Sequence, residues 1–356
     1  MIFSLKHVKA KISKVNEVPL FFFLKSLNAT KISLSLFPKW FQPVYKRCPG
    51  VGNVFNNAFL DFKKLNKKQQ GILIKAYRKS LDVKKICNDS SIFVPCIDDF
   101  DPRIRLSLTE LFRFLFENTL DTESFKSVCG MHIKDHYDEF IRKNEIHVCP
   151  FCGLETYSLP DHRRAEYDHY FPITKYPLFG VNFNNLVPMG DICNGKKNDS
   201  DILYELNTRR LVTYPYQNLN YNLKVACKKQ PTITDVYGEW EIDITAPSKK
   251  DQQRINTWDA VFNIKKQFAS AFAIYHKRFA EDFARRNGLT GKVLSLSNLR
   301  KELKIYKANG PGDPKMDTMY TLRKAWADFY STVKDDSELI VIKRMVQNQK
   351  PRMKLS

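Results

Sequence analysis

The sequence predicts an α+β fold, on three observations. Apolar residues recur every three or four positions between about residues 53 and 120, and again after Pro247. They alternate with polar residues in two short stretches, Leu219 to Val225 and Trp240 to Ile244, and from His147 to about Asp191 neither period holds. The chain therefore divides into a mainly helical region at 1–145, a central region at 146–210 of different character, and a region at 211–356 in which short strands lead into long helices. With 356 residues, 43% of them hydrophobic and 13% aromatic, it can bury one large core or several smaller ones and is not a disordered chain.

Residues 1–50 hold apolar clusters around Phe21 and Phe37 that follow neither period for long, and they carry no assignment. Helical spacing then links Ile72, Leu73, Ala76 and Tyr77, and later Leu108, Leu111, Phe112 and Leu115, with Thr109 and Glu110 near one helix start. Pro95 and the acidic stretch Asp98 to Asp101 before Pro102 carry turn chemistry. Beyond Pro247 one apolar stripe runs through Ile255, Trp258, Phe262, Phe268, Phe272, Tyr275, Phe279 and Phe283, with Gly288 placed to end it. Its outward face carries Lys265, Lys266, Lys277, Arg278, Arg285 and Arg286, either a track for a phosphate backbone or a solvated face. The loop Asn309 to Pro314 leads to a last helix through Tyr320, Leu322, Trp326, Phe329 and Val333.

A formal charge of +20 and a pI near 9.5 make a polyanion the natural partner, nucleic acid first, although a host coding bias toward lysine would raise the pI as well. Of eight cysteines only Cys149 and Cys152 stand in a C-x-x-C pair; the rest are scattered, as suits reduced core residues or metal ligands in the cytoplasm. The apolar run Val18 to Leu24 is stopped by Lys25, short of the roughly 20 residues that span a bilayer, so neither membrane insertion nor secretion is expected.

Four signals follow in one order within the central stretch: C-P-F-C-G from Cys149, Y-D-H-Y-F-P from Tyr167, N-N-L-V-P from Asn184, and I-C-N-G-K-K-N-D from Ile192. Phosphodiester hydrolysis needs an activated water, neutralised phosphate charge and a stabilised 3′ oxygen, which one imidazole and one hard cation can supply. His169 has the right side chain for the base, and Asp168 and Asn194 offer oxygen ligands suited to Mg²⁺. Neighbours on a strand face opposite ways, so Asp168 and His169 share a site only if the strand ends or bends there, and Pro172 is placed to end it.

This ordered set resembles the HNH, or His-Me finger, endonucleases, whose fold is a ββα-metal unit. The resemblance covers roughly residues 147 to 204. It implies Asp168 as the metal-binding acid, His169 as general base, Asn185 as the asparagine that braces the loop, Asn194 as the final metal ligand and Lys197 as the lysine of C-N-x-x-K. It further implies one Mg²⁺ or Mn²⁺, and products with 5′ phosphate and 3′ hydroxyl ends. Many members also carry two C-x-x-C pairs around a structural Zn²⁺. Here the second pair is reduced to Cys193, with Gly190 at the other position, leaving Cys149, Cys152 and Cys193 as three of four ligands. Asp191, His147 or His162 is the candidate fourth; otherwise the thiols serve packing alone. His132 and His136 are spaced i, i+4 but lack H-E-x-x-H, and exposed helix surface is expected there.

The expected activity is hydrolysis of DNA as an effector of a prokaryotic antiphage or restriction system, beside an ATPase partner. The rivals are an RNase, a mobile-element nuclease, and a zinc-stabilised binding module without activity. Arg163, Arg164 and Lys175 near the site, and Arg209 and Arg210 after it, are further candidates for contact with the scissile strand.

Overall fold

The computed structural model describes residues 1–156, 167–198, 200–231, 237–309 and 312–347. His162, Arg163, Arg164 and part of the loop from Asn309 to Pro314 lie outside them. The fold is α+β, and apart from the first two residues the chain forms two compact units, one of 3–146 with the described part of 157–218, the other of 147–156 with the described part of 219–356.

The first unit opens with helices α1 (Val18–Ser26), α2 (Gln42–Arg47) and α3 (Val51–Lys64). The first two are ordered by aromatic packing on α3 and not by their own periodicity. The ring of Phe22 meets those of Phe37, Phe55 and Phe59, and Phe37 stands edge-on to Phe55 at 4.9 Å. Val51, Phe55, Ala58, Phe59 and Phe62 form the buried stripe of α3. Gly50 caps that helix at φ 83°, where a Cβ would stand 2.6 Å from the ring of Phe114.

Helix α4 (Lys67–Ser80) begins with a capping box: Asn66 Oδ1 accepts from the Gln69 amide and Gln69 Oε1 from the Asn66 amide, both at 2.9 Å. Asn66→Ala is expected to cost about 1 kcal/mol, read as a lowered urea midpoint with an unchanged m-value. Helix α5 (Val83–Asn88) is followed by α6 (Pro102–Phe114), which starts at an Asp101 cap with Pro102 in its first turn. Thr109 and Glu110 thus fall inside α6 rather than at its start, because the acid and proline outrank them as an N-terminal signal. A π-helical turn at Leu115–Thr119 continues α6, and α7 (Glu123–Cys129) and α8 (Ile133–Asn144) follow.

Strands β1 (Tyr167–His169) and β2 (Leu186–Pro188) then pair antiparallel, with His169 opposite Leu186, and α9 (Asp191–Lys197) comes next. A hairpin of β3 (Tyr204–Glu205) and β4 (Thr208–Arg209) turns through Leu206, which is 95% exposed at φ 52°.

In the second unit β5 (Asn222–Lys229) pairs antiparallel with β6 (Glu239–Thr245), where Trp240, Ile242 and Ile244 are buried and Glu239, Glu241 and Asp243 exposed. The expected single stripe is two helices, α10 (Lys249–Phe262) and α11 (Ile264–Arg286). Asn263, at φ 55°, ends one and starts the other, a break that the apolar period passes over. Helices α12 (Leu296–Asn309), α13 (Tyr320–Thr332) and α14 (Asp336–Gln347) complete the unit around buried Trp326, Tyr330 and Phe283. Of the basic face of α11, Lys265 pairs with Asp243 and both Arg285 and Arg286 with Asp282. Among the described residues no helix is long and apolar enough to cross a membrane.

Candidate active site

Asp168, His169, Asp191, Asn194 and Lys197 line one open pocket of about 320 Å³ in the first unit, with 172–174 on its wall. Asp168 and His169 reach it together because β1 stops at His169 and the chain bends. The Tyr170 amide donates to the Asn185 carbonyl (2.8 Å) and the Phe171 amide to Asn185 Oδ1 (2.8 Å), while Asn185 Nδ2 returns a bond to Phe171 O (3.1 Å). Asn185 is fully buried and braces this bend without lining the pocket.

His169 is 8% exposed, and its Nε2 lies 2.8 Å from the carbonyl oxygen of Gly180. A carbonyl only accepts, so Nε2 carries the hydrogen and Nδ1 of the neutral ring keeps its lone pair. Burial pulls the His169 pKa down to about 4, against the opposing effects of the Gly180 bond and the Asp168 charge. The ring is therefore neutral near pH 7. Phe116, carried on the π-helical turn, packs edge-on against it with centroids 4.4 Å apart. Gly180 admits no side chain, since a Cβ would stand 2.7 Å from Ile173 Cδ1 and 3.1 Å from Phe112 Cβ.

Lys197 is 2% exposed and places Nζ 2.6 Å from Asp168 Oδ2 and 2.8 Å from the His169 carbonyl, tying α9 to the end of β1. Asn194 and Asp191 are exposed on the first turn of α9. The pocket thus gathers Asp168, Asn194, His169 and Lys197. It adds Asp191, which is adjacent in sequence, and it depends on Gly180 and Phe116, which only tertiary structure brings to the histidine.

Lys175, Arg209 and Arg210, expected to contact the scissile strand, also have partners within the protein. Lys175 and the Tyr176 hydroxyl both hold Asp201, at 3.0 and 2.8 Å. The Arg209 guanidinium donates to the carbonyls of Ile86 and Ile92, and that of Arg210 to the Asp201 carbonyl. His136 departs from the exposed-surface expectation: it is 2% exposed, with Nδ1 2.8 Å from the Tyr167 hydroxyl behind β1. His132 caps α8 instead, beside Asp135 and Glu123.

Cys149, Cys152 and Glu155 bring one ligand atom each to within 4.8 Å of one another in the second unit, the two cysteines buried, a group that could hold a metal ion such as zinc; Cys193 is buried on α9 of the first unit. Of the expected fourth donors, Asp191 lines the pocket above, and His162 lies outside the described residues. In the C-P-F-C-G turn the Leu154 amide points at Cys152 Sγ (3.4 Å) and the Gly153 amide donates to the Cys149 carbonyl (2.8 Å). All eight cysteines are unbridged.

No family profile, curated protein or solved structure matches this chain.

Proposed function

We propose that this chain is a metal-dependent phosphodiester hydrolase of the HNH, ββα-metal type acting on DNA, with His169 as its general base. The observation that carries the reading is the histidine itself: neutral, held through Nε2 by a backbone carbonyl, and lining one pocket with three side chains that offer oxygen donors. Asp168, Asn194 and Asp191 are hard donors, so the set fits Mg²⁺ or Mn²⁺ better than a thiolate-seeking ion. Asp168 and Asn194 would hold it. The chemistry a bound cation supplies there is neutralisation of phosphate charge and stabilisation of the departing 3′ oxygen.

The chain's own residues do the rest. Nδ1 of His169 accepts the proton of the attacking water, and the Gly180 carbonyl and the Phe116 ring keep that nitrogen from turning away. Lys197 sets the Asp168 carboxylate, and Asn185 holds the bend that puts acid and base on one side. In the defence-system setting the resemblance implies, an ATPase partner would direct where the site acts rather than switch it on.

The test is supercoiled plasmid incubated with purified chain in Mg²⁺ or Mn²⁺, with EDTA as control. Nicking or linearisation that EDTA abolishes is expected. Cutting that persists in EDTA, or none on plasmid, linear duplex or single strands in either metal, sinks the reading.

The cysteines take a separate role in this reading, as ligands of a structural zinc: Cys149 and Cys152 with the Glu155 carboxylate beside them, and Cys193 as the third thiolate that the resemblance implies. Elemental analysis of the purified chain is expected to give about one zinc per chain, lost in a Cys149→Ser, Cys152→Ser double variant. A zinc-free, normally folded wild-type chain would overturn the assignment.

A further inference from the structure

We infer that the exposed face of α4 is a track for the phosphate backbone of the DNA that the candidate active site cleaves; the inference rests on the hydrolase reading and extends it to how substrate is held. Residues 1–80 carry 16 lysines and arginines against two acids, Glu17 and Asp61, so 14 of the 20 net positive charges lie in this stretch. Within it α4, with the sequence K-K-Q-Q-G-I-L-I-K-A-Y-R-K-S, has no acid at all.

The helix buries Gln70, Leu73, Ile74, Ala76, Tyr77 and Ser80, which leaves Lys67, Lys68, Gly71, Ile72, Lys75, Arg78 and Lys79 exposed. Lys67 reaches the Leu27 carbonyl. No ion pair engages Lys68, Lys75, Arg78 or Lys79 among the described residues, in contrast to α11, where three of six cations are neutralised by Asp243 and Asp282. Four cations facing solvent on one rigid rod repel one another weakly, and a polyanion laid along them would neutralise that repulsion.

Gly71 is the second observation. It sits mid-helix between Lys68 and Lys75, where glycine weakens a helix relative to alanine, yet a Cβ there would meet nothing within 4 Å. Packing does not require it. Its effect is on the outside, where the missing side chain lets another backbone come close between the flanking lysines.

The track also leads to the chemistry. Ser80, the last residue of α4, donates from Oγ to the Leu178 carbonyl (3.2 Å) and accepts at its own carbonyl from Asn182 Nδ2 (2.9 Å). Gly180, between those two partners, supplies the carbonyl that holds His169. Lys68 to Lys79 is 11 residues, about 16 Å of helix, which matches about five phosphates of one strand. Lysine ammonium groups are point charges that read no base, so the contact is independent of sequence. Only Ile72 adds exposed apolar surface, too little to anchor a membrane.

The experiment uses full-length His169→Ala chain, which separates binding from cleavage, and a labelled duplex of about 25 base pairs, with anisotropy followed across a sodium chloride series. The comparison is the same chain carrying Lys68→Gln, Lys75→Gln and Lys79→Gln, all three exposed and checked for unchanged circular dichroism. A control triple, Lys266→Gln, Lys277→Gln and Arg278→Gln on α11, removes equal charge elsewhere. If the track is real, the slope of log Kd against log salt drops by about 0.9 for each phosphate deprived of its cation, so by up to about 2.7, and affinity near 0.1 M salt falls at least about tenfold. The α11 triple leaves the slope alone. Equal slopes in parent and α4 triple, equal losses in both triples, or no duplex binding by the parent overturns the track. A chain that binds through α4 but never cleaves in the plasmid assay keeps the track and sinks the hydrolase; one that cleaves with an unchanged slope does the reverse.

Discussion

Replacing His169 with alanine is expected to lower metal-dependent DNA cleavage by about 10²–10⁴-fold, the range that loss of a positioned general base produces, while the chain still folds and still binds duplex. The expectation follows from one constraint: the Gly180 carbonyl at 2.8 Å fixes the tautomer, so a single ring nitrogen can take the proton. Lys197 cannot substitute, because its ammonium is already committed to Asp168 and the His169 carbonyl. The same burial predicts the pH profile. With its pKa drawn down to about 4, His169 stays unprotonated well below the ordinary histidine range near 6.5, so the acid limb of kcat/KM set by this base lies below pH 5. Rates at saturating Mg²⁺ between pH 4.5 and 8 check it, and an acid limb centred near 6.5 would show that the working histidine is solvated and not the buried one described here.

What the sequence disclosed was local. Asp168-His169 before a proline and Asn194 on a short helix could be read because each signal spans a few residues, and Trp240, Ile242 and Ile244 alternate as a half-buried strand must. The supports were hidden because they are tertiary. Phe116 lies 53 positions before His169 and meets it only because a π-helical turn re-aims the end of α6. Gly180 reads as an ordinary turn glycine until Ile173 and Phe112 are seen to fill the space a side chain would need. Residues 1–50 showed no period because their order is a stack of phenylalanines on α3, which apolar spacing within one segment cannot express. Glu155 does not stand out as a metal ligand for a related reason: one carboxylate three residues beyond a C-x-x-C pair is ordinary until its place beside the two thiols is seen.

Both units should lose stability in mild acid, because each buries a neutral histidine that the mechanism does not use. In the first unit His136 lies between the Tyr167 hydroxyl and the Val8 carbonyl, with its pKa lowered to about 4 by burial. In the second, His276 is fully buried, stacked on Trp240 at 4.9 Å with Nε2 2.6 Å from the Tyr330 hydroxyl, and burial lowers its pKa to about 3. Its Nδ1 has no hydrogen-bond partner among the described residues, so charging the ring would leave a buried cation unsatisfied. The folded pKa values lie below the unfolded value near 6.5, so the unfolded chain binds more protons below that pH. Stability is complete above about 6.5 and falls as pH drops toward the folded values. From pH 7 to pH 5 each histidine costs its unit about 2 kcal/mol. Urea unfolding at the two pH values measures the loss, followed by Trp240 and Trp326 fluorescence in the second unit, which His276→Gln should make nearly insensitive to pH over this range. A loss unchanged by that substitution would place the acid sensitivity in other groups, the paired carboxylate of Asp282 first among them, since arginine partners hold its pKa low in the folded chain.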